Sequence, residues 1–187
     1  DINNLDQLPE QTCVAIGNFD GIHQGHIGLI KKTIKISRDN DLVPTILTFD
    51  PMPEEFFNTS SFFRLMHMSD KYQVLEKYGI EQVIKIPFDK NFSETSKDAF
   101  IENILIHKLM VKHLIVGCDF KFGHKRLGDI DLLKLYEDRN LFDLTIIELV
   151  KVTDKKVSSR DIRALIKNGD IKDANKLISK PFSLKGK

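Results

Sequence analysis

Short apolar runs alternate with longer segments of helical period along this chain. Each run has the length and β-branched content of a buried strand. The five predicted strands are Thr12–Ile16, Val43–Phe49, Gln82–Ile86, His113–Val116 and Leu144–Val150. The four predicted helices between them, each opened by a small, polar or glycine residue, are Gly25–Asp39, Ser69–Tyr78, Ser96–Lys108 and Asp129–Asn140. This alternation predicts an α/β fold with a doubly wound, mostly parallel five-stranded sheet and right-handed crossovers.

The predicted sheet indicates where a ligand binds. Ligands of doubly wound sheets bind beyond the carboxyl ends of the strands. The candidate ligand-binding loops are therefore those that follow Ile16, Phe49 and Val116. The last part of the chain, Ser158–Ile178, has the pattern of two short helices that are separated at Asn168-Gly169-Asp170.

Composition narrows the possible functions. The 187 residues suit one domain, and 28 Lys plus Arg against 27 Asp plus Glu give a net charge of +1. Such a balance provides no broad basic field for nucleic acid, so any polyanion must bind at a local site. The chain opens without the pattern of a secretory signal and has no run of about 18 apolar residues, so we expect a cytoplasmic protein that does not enter a membrane. Cys13 and Cys118 lie in apolar stretches and are predicted to be buried thiols.

The first of the three loops, Gly17–His26, reads GNFDGIHQGH. It lacks the Walker pattern GxxxxGK[ST], which excludes that type of phosphate loop. His23 and His26 flank Gly25 at a predicted helix N-terminus, where free N–H groups favour an anion. At this spacing both imidazoles point the same way. A structural role and half of a zinc site are the alternatives, although no third zinc ligand is apparent in the neighbouring loops.

Four motifs carry a family resemblance. GNFDGIHQGH resembles the HxGH signature of the nucleotidyltransferase superfamily, in the form found in bacterial FAD synthetases. The three further motifs follow in the family's order and resemble its second-strand loop, its GxDFxFG motif and its late SSTxIR motif. They are Thr48–Pro53, Gly117–Gly123 with Gly128-Asp129, and Val157–Arg163.

The resemblance implies a Rossmann-like HxGH nucleotidyltransferase fold and FMN adenylyltransferase activity. The reaction would transfer AMP from ATP to FMN, giving FAD and pyrophosphate, with Mg²⁺ carried on the ATP phosphates. Residues 1–178 would form this domain. Residues 179–187 resemble the opening of the family's riboflavin kinase domain, the rest of which is absent from the chain, so the parent protein is expected to phosphorylate riboflavin as well.

The resemblance also implies roles for individual residues. The catalytic set would be His23, His26, Ser158, Ser159 and Arg163. ATP would bind at Gly17, Asn18, Phe19, Asp20, Gly25, Gly117, Asp119 and Arg126. FMN would bind at Pro51, Pro53, Phe57, Phe120 and Phe122. No firm protein ligand for a metal is implied.

Two departures from the family pattern keep alternatives open. Arg160 stands where the family usually has Thr, and Met52 stands where it often has a polar residue. The alternatives are a related transferase that acts on a different phosphate, and a flavin- or nucleotide-binding module without catalysis. The sequence does not indicate an oligomeric state.

Overall fold

The computed structural model describes residues 2, 5–58, 62–148, 151–152, 155–156 and 158–184. Strands β1–β5 are Thr12–Ile16, Val43–Phe49, Gln82–Ile86, Val111–Gly117 and Asp143–Ile147, and β6 and β7 are the short pair Lys151–Val152 and Lys155–Lys156. Helices α1–α8 are Gln24–Asn40, Pro53–Phe57, Met68–Tyr78, Lys90–Ser93, Lys97–Ala99, Ile130–Glu137, Ser159–Lys167 and Ile171–Leu177. A π-helix, Phe100–Lys108, continues α5, and a 3₁₀ turn spans His124–Arg126.

The main sheet has five parallel strands in the order β3-β2-β1-β4-β5. The chain therefore winds outward from the central β1 in both directions, as the βα alternation predicts. The prediction of a doubly wound α/β fold is confirmed, and the sheet is wholly rather than mostly parallel. β6 and β7 form a separate antiparallel pair.

Two apolar cores cover the two faces of the sheet. Alternate residues of β1 belong to different cores: Val14 and Ile16 pack with the π-helix and α6, whereas Cys13 and Ala15 pack with α1 and α3. This alternation follows from the two-residue period of a strand. Every side chain of β1 is buried, which holds the strand, and the loop that leaves it, in a fixed position.

A third, smaller core lies beside that loop. Leu65, Ile162, Ala174 and Ile178 are buried together, and they attach α7 and α8 to the carboxyl end of the sheet. Beyond α8 the backbone of Ile178 forms an isolated antiparallel bridge with His23. The segment that directly follows α8 is thus paired with the first loop.

Several boundaries differ from the predictions. β4 begins at Val111 rather than His113, and β5 is Asp143–Ile147 rather than Leu144–Val150, whose last two residues lie outside the described part of the chain. The four predicted helices also differ: α1 begins at Gln24, α3 begins at Met68, α6 ends at Glu137, and the segment predicted as one helix over Ser96–Lys108 is mostly π-helix.

Other expectations from the sequence have mixed outcomes. Gly79 ends α3 in the left-handed conformation, and the predicted break between α7 and α8 is confirmed at Gly169, whose φ is also positive. Cys13 is buried as predicted, but the prediction for Cys118 is wrong. Cys118 follows the last residue of β4 and is exposed, because the apolar run ends where the strand leaves the sheet. No helix within the described residues is both long and apolar enough to cross a bilayer.

Candidate active site

The loop between β1 and α1 is anchored by its own apolar side chains. Phe19 and Ile22 are fully buried in the core on the α1 side of the sheet. Phe19, Gly21 and Ile22 have φ values of 48°, 76° and 42°. Such left-handed conformations are rare for residues other than glycine, so the surrounding packing must hold Phe19 and Ile22 in place. The result is a turn whose apolar side chains are buried in the core.

The two histidines of this loop stack on each other. His23 is the N-cap residue of α1 and His26 lies in its first turn, with ring centroids 3.8 Å apart and ring planes 22° from parallel. The prediction that both rings point the same way is confirmed. Gly25 permits this arrangement, since a Cβ at that position would lie 3.1 Å from Cε1 of His23.

Both histidines are held neutral by their surroundings. Burial lowers the pKa of His23 to about 4, against a smaller opposing effect of the Asp161 carboxylate. Burial, followed by the neighbouring His23 and Lys71, lowers the pKa of His26 well below its ordinary value. Both Nδ1 atoms are buried without a hydrogen-bond partner among the described residues. A ligand that contacts either ring would therefore do so through Nε2 rather than through the buried Nδ1.

The N-terminus of α1 adds to the attraction for an anion. The helix is 17 residues long, no side chain caps it within the described structure, and its first turn has no acidic residue. Its first N–H groups and the positive end of its dipole are therefore free to face a negatively charged group.

The Asp20 carboxylate is bonded to protein groups, and its predicted contact with ATP stays a prediction. Its carboxylate is 1% exposed and accepts hydrogen bonds from the backbone N–H groups of Leu65 and Met66 at 3.1 and 3.2 Å. Nη2 of Arg163 donates to the same carboxylate at 2.6 Å. Burial raises the pKa of Asp20, and these hydrogen bonds and the guanidinium oppose that effect. Asp20 thus fastens the loop to the segment before α3 and to α7.

Each of the three guanidinium nitrogens of Arg163 contacts a protein group. Besides Asp20, its Nε donates to the Phe63 carbonyl at 2.9 Å and its Nη1 approaches Glu54 at 3.4 Å. The guanidinium lies 4.3 Å from the ring centroid of Phe62. Its predicted contact with phosphate stays a prediction, because in this structure its N–H groups hold the first and second loops together.

The two serines of the late motif have different partners. Ser158 caps α7 by accepting from the Asp161 N–H, and Asp161 accepts in turn from the Ser158 backbone, which forms a capping box. The Ser159 hydroxyl donates to the Asp20 carbonyl at 3.0 Å, so α7 begins against the first loop. Arg160, in the family's usual Thr position, points to solvent, and Val157 lies outside the described residues.

Lys71 was not anticipated from the sequence. It is 1% exposed, and its ammonium group donates to the Asn18 carbonyl at 2.7 Å. The Thr48 hydroxyl donates to the same carbonyl at 3.3 Å. A single lysine on a helix of mixed polarity has the pattern of a solvent-facing residue, so its burial depends on contacts 53 residues away along the chain.

The second loop presents aromatic surface and an ion-pair cluster. Pro51 follows a cis peptide bond, and Pro53 opens α2, whose last residue, Phe57, has 65% of its surface exposed. Phe56 and Phe57 contact Phe88 edge to face. The ion-pair cluster beside these rings joins Asp50, Glu55, Arg64 and Lys85.

The predicted ligand-binding residues of the third loop, which follows β4, differ in how exposed they are. Asp119 and Arg126 are exposed beyond β4, and Gly117 lies against the Asp119 side chain. Phe120 stacks on Phe122, but Phe122 is 7% exposed and packs on Phe100 in the core. Little of the Phe122 ring is therefore accessible to a ligand.

The structure thus joins the first loop, the second loop and α7 by direct contacts. The third loop follows β4, the strand beside β1, at the same edge of the sheet. A surface cavity of about 810 Å³ lies elsewhere, between α1 and α3, at the amino ends of β2 and β3. Its position is opposite to the strand ends where this fold binds ligands.

Comparison with known proteins agrees with the motifs. The FAD synthetase family model matches residues 5–161. The chain belongs to the FAD synthetase family. A bifunctional riboflavin kinase/FMN adenylyltransferase of Buchnera aphidicola subsp. Schizaphis graminum is 38% identical over all of this chain and 60% of its own length. The Escherichia coli K12 protein of that name is 34% identical, with the same coverage.

The chain therefore spans about 60% of the length of these FAD synthetase relatives. A solved structure with a similar fold is named a macrolide-efflux protein from Streptococcus pneumoniae. It is 26% identical, has a TM-score of 0.82, and the match covers 97% of this chain and 62% of that one.

Proposed function

We propose that this FAD synthetase domain transfers AMP from Mg·ATP to FMN. An oxygen of the FMN phosphate attacks the α-phosphorus, the bond to the oxygen that bridges the α- and β-phosphates breaks, and pyrophosphate leaves. The observation that carries the proposal is the stacked pair of neutral histidines at the uncapped N-terminus of α1. Because the nucleophile belongs to FMN, the protein needs only to position two anions and stabilise the charge that moves between them.

The histidines would donate hydrogen bonds to the triphosphate. A neutral imidazole has one N–H group, and because both Nδ1 atoms are buried, Nε2 is the nitrogen that would present it to a ligand. As the α–β bond breaks, negative charge grows on the leaving pyrophosphate. Two N–H donors and the α1 dipole stabilise this growing charge more than they stabilise bound ATP, which is what accelerates the step.

Mg²⁺ would enter with the substrate. Within the described residues, no three His, Cys, Asp or Glu side chains gather closely enough to hold a metal ion. In this proposal the ion is bound through the phosphates of ATP and keeps several of its waters. The ion would neutralise part of the phosphate charge, while His23 and His26 bind the remaining oxygens.

FMN would bind beside the second loop. The isoalloxazine is a large flat ring, and the exposed face of Phe57 with the adjoining Pro51 and Pro53 offers an apolar surface for it. FMN contacts by Phe120 and Phe122, and ATP contacts by Gly117, Asp119 and Arg126, are part of the same proposal.

We further propose that the full-length protein also phosphorylates riboflavin and works in the cytoplasm. Both curated relatives described above are named bifunctional. Residues 179–187 would then begin the kinase domain, and FMN made there would be the substrate of this domain.

The test is a direct assay of the reaction. The purified chain is incubated with Mg·ATP and FMN, and FAD and pyrophosphate are resolved by chromatography. We expect one pyrophosphate per FAD, and a loss of about 10²–10³ in kcat for His23→Ala or His26→Ala, the cost of one such donor. His107→Ala is the matched control, since His107 is an exposed histidine on the π-helix. Wild-type turnover in both active-site variants would refute the mechanism.

A further inference from the structure

Lys71 is a buried cation that the proposed chemistry does not use. It lies in the first turn of α3 and is among the largest fully buried side chains of the described chain. Burial lowers its pKa to about 8, partly offset by the Asp20 carboxylate. A buried ammonium group is costly unless it is paired or hydrogen-bonded, so its position calls for a specific reason.

The contact of Lys71 is with the backbone of the first loop. The Asn18 carbonyl accepts from its ammonium group at 2.7 Å, two residues after the end of β1. The Asn18–Phe19 peptide is trans, since Asp50-Pro51 is the cis bond found in the described residues. The C=O and N–H groups of a trans peptide point in opposite directions. Drawing the carbonyl inward therefore turns the Phe19 N–H away from Lys71.

This contact acts at a strained position of the loop. The peptide bonded to Lys71 directly precedes Phe19, whose φ is 48°. A conformation of this kind persists only where its surroundings enforce it. The buried Phe19 ring fixes one side of the residue and the Lys71 hydrogen bond fixes the peptide on the other side.

Lys71 also influences the histidines electrostatically. Its positive charge is one of the three causes that lower the pKa of His26, after burial and His23. The carboxylates that act on Lys71 are paired with arginines: Asp20 with Arg163, and Asp50 and Glu55 with Arg64. The ammonium charge thus favours neutral His26 and adds positive potential beneath the anion site.

We propose that Lys71 is a positioning residue for adenylyl transfer: its ammonium group holds the Asn18 carbonyl inward and thereby fixes the loop that carries His23 and His26. The inference rests on the proposed function for its effect on turnover. Its effect on the loop can be measured without turnover.

The test compares Lys71→Met with Lys108→Met. Methionine keeps most of the length and apolar character of lysine but cannot donate. Lys108 also donates to backbone carbonyls, those of Ile2 and Leu5, but it lies at the end of the π-helix, at the amino end of the sheet. We expect Lys71→Met to lower kcat about 10- to 100-fold, since a catalytic group displaced by about 1 Å costs up to 10². The KM for FMN should stay within about twofold of wild type, and Lys108→Met should keep wild-type kcat.

A second readout separates positioning from stability. The titration of the His26 ring and the amide resonances of Asn18 and Phe19 are followed by NMR in all three proteins. In Lys71→Met the pKa of His26 should rise, because one of the causes that lower it is removed, and the two amide signals should shift. Lys108→Met should leave both unchanged. These signals do not depend on catalysis, so they judge the inference even if the wild-type chain makes no FAD, a result that would refute the proposed function alone.

Two results would overturn the inference. One is a wild-type kcat in Lys71→Met. The other is a lower kcat together with an unchanged pKa of His26 and unchanged amide resonances of Asn18 and Phe19, which would indicate general destabilisation. If Lys71→Met does not fold, Thr48→Val removes the second donor to the same carbonyl and replaces it with a side chain of equal size. The Phe19 amide should then shift and kcat should fall, and an unchanged signal with unchanged kcat would refute the role of this carbonyl.

Discussion

Folding keeps His23 neutral at an acidity that would protonate it in the unfolded chain. The pKa is about 4 in the folded protein and 6.5 for the free side chain, and burial is the main cause of the difference. The ring is 6% exposed, so water screens it little. Each pKa unit corresponds to about 1.4 kcal/mol, and the two values therefore imply a linkage free energy of about 3 kcal/mol.

The sign of the effect follows from proton binding. Between about pH 6.5 and pH 4 the unfolded chain binds a proton at residue 23 and the folded chain does not. The free energy of unfolding therefore falls as the pH is lowered through this range. Replacing His23 with Gln removes the titrating group but leaves every other ionisable side chain in place. The pH dependence of the wild type should thus exceed that of His23→Gln by about 3 kcal/mol over the whole range.

Urea unfolding of the two proteins at several pH values between 7.5 and 4 measures this difference. His23→Gln is expected to be less stable than the wild type at pH 7, where the native packing is intact, and to approach or overtake it near pH 4. Curves that run parallel for the two proteins across the range would refute the reasoning, because they would mean that His23 is protonated equally in both states. The absolute loss in each protein includes His26, which remains in both.

Two further predictions concern the loops. Gly21→Ala should lower the free energy of unfolding by about 2 kcal/mol or more, because Gly21 has a φ of 76° and the new Cβ would lie 3.0 Å from the Ile178 side chain. Gly169→Ala, with a φ of 87° but open space around it, should cost about 1 kcal/mol. Equal losses of the two variants in thermal unfolding would contradict the role of the Ile178 contact. Phe57→Ala should raise the Kd for FMN, measured by flavin fluorescence, about tenfold. Its free energy of unfolding should stay within about 0.5 kcal/mol of wild type, because the side chain is exposed. Unchanged FMN affinity would show that Phe57 is not part of the flavin site.

The sequence predicts the fold well where the pattern is local. β1, β2 and β3 have the predicted bounds because each is a short, β-rich run between clear breaks. That the rings of His23 and His26 point the same way also follows from their spacing. The π-helix is not predictable in this way, since its Leu109 N–H to Ile104 carbonyl pairing depends on packing against the sheet rather than on a distinct periodicity.

The pairing of two buried charges, Asp20 and Arg163, is the part of the site that sequence reasoning did not anticipate. Asp20 and Arg163 are 143 residues apart and appear in motifs that suggest contact with phosphate. The Arg163 guanidinium suits ATP as well as it suits Asp20, because it binds a phosphate or a carboxylate with the same N–H groups. Only the three-dimensional structure shows that each is bound to the other, at 2.6 Å, beneath the loop.

That pairing limits what Arg163 can do during a reaction. If Arg163 moved to a phosphate, Asp20 would keep two backbone N–H groups and lose its hydrogen-bonded cation, and an uncompensated buried carboxylate is costly. Lys71 is then the remaining positive charge close enough to influence it. The Lys71 ammonium group also lowers the pKa of His26, after burial and His23. It thereby favours a neutral imidazole, which would bind phosphate as a hydrogen-bond donor rather than as a charge.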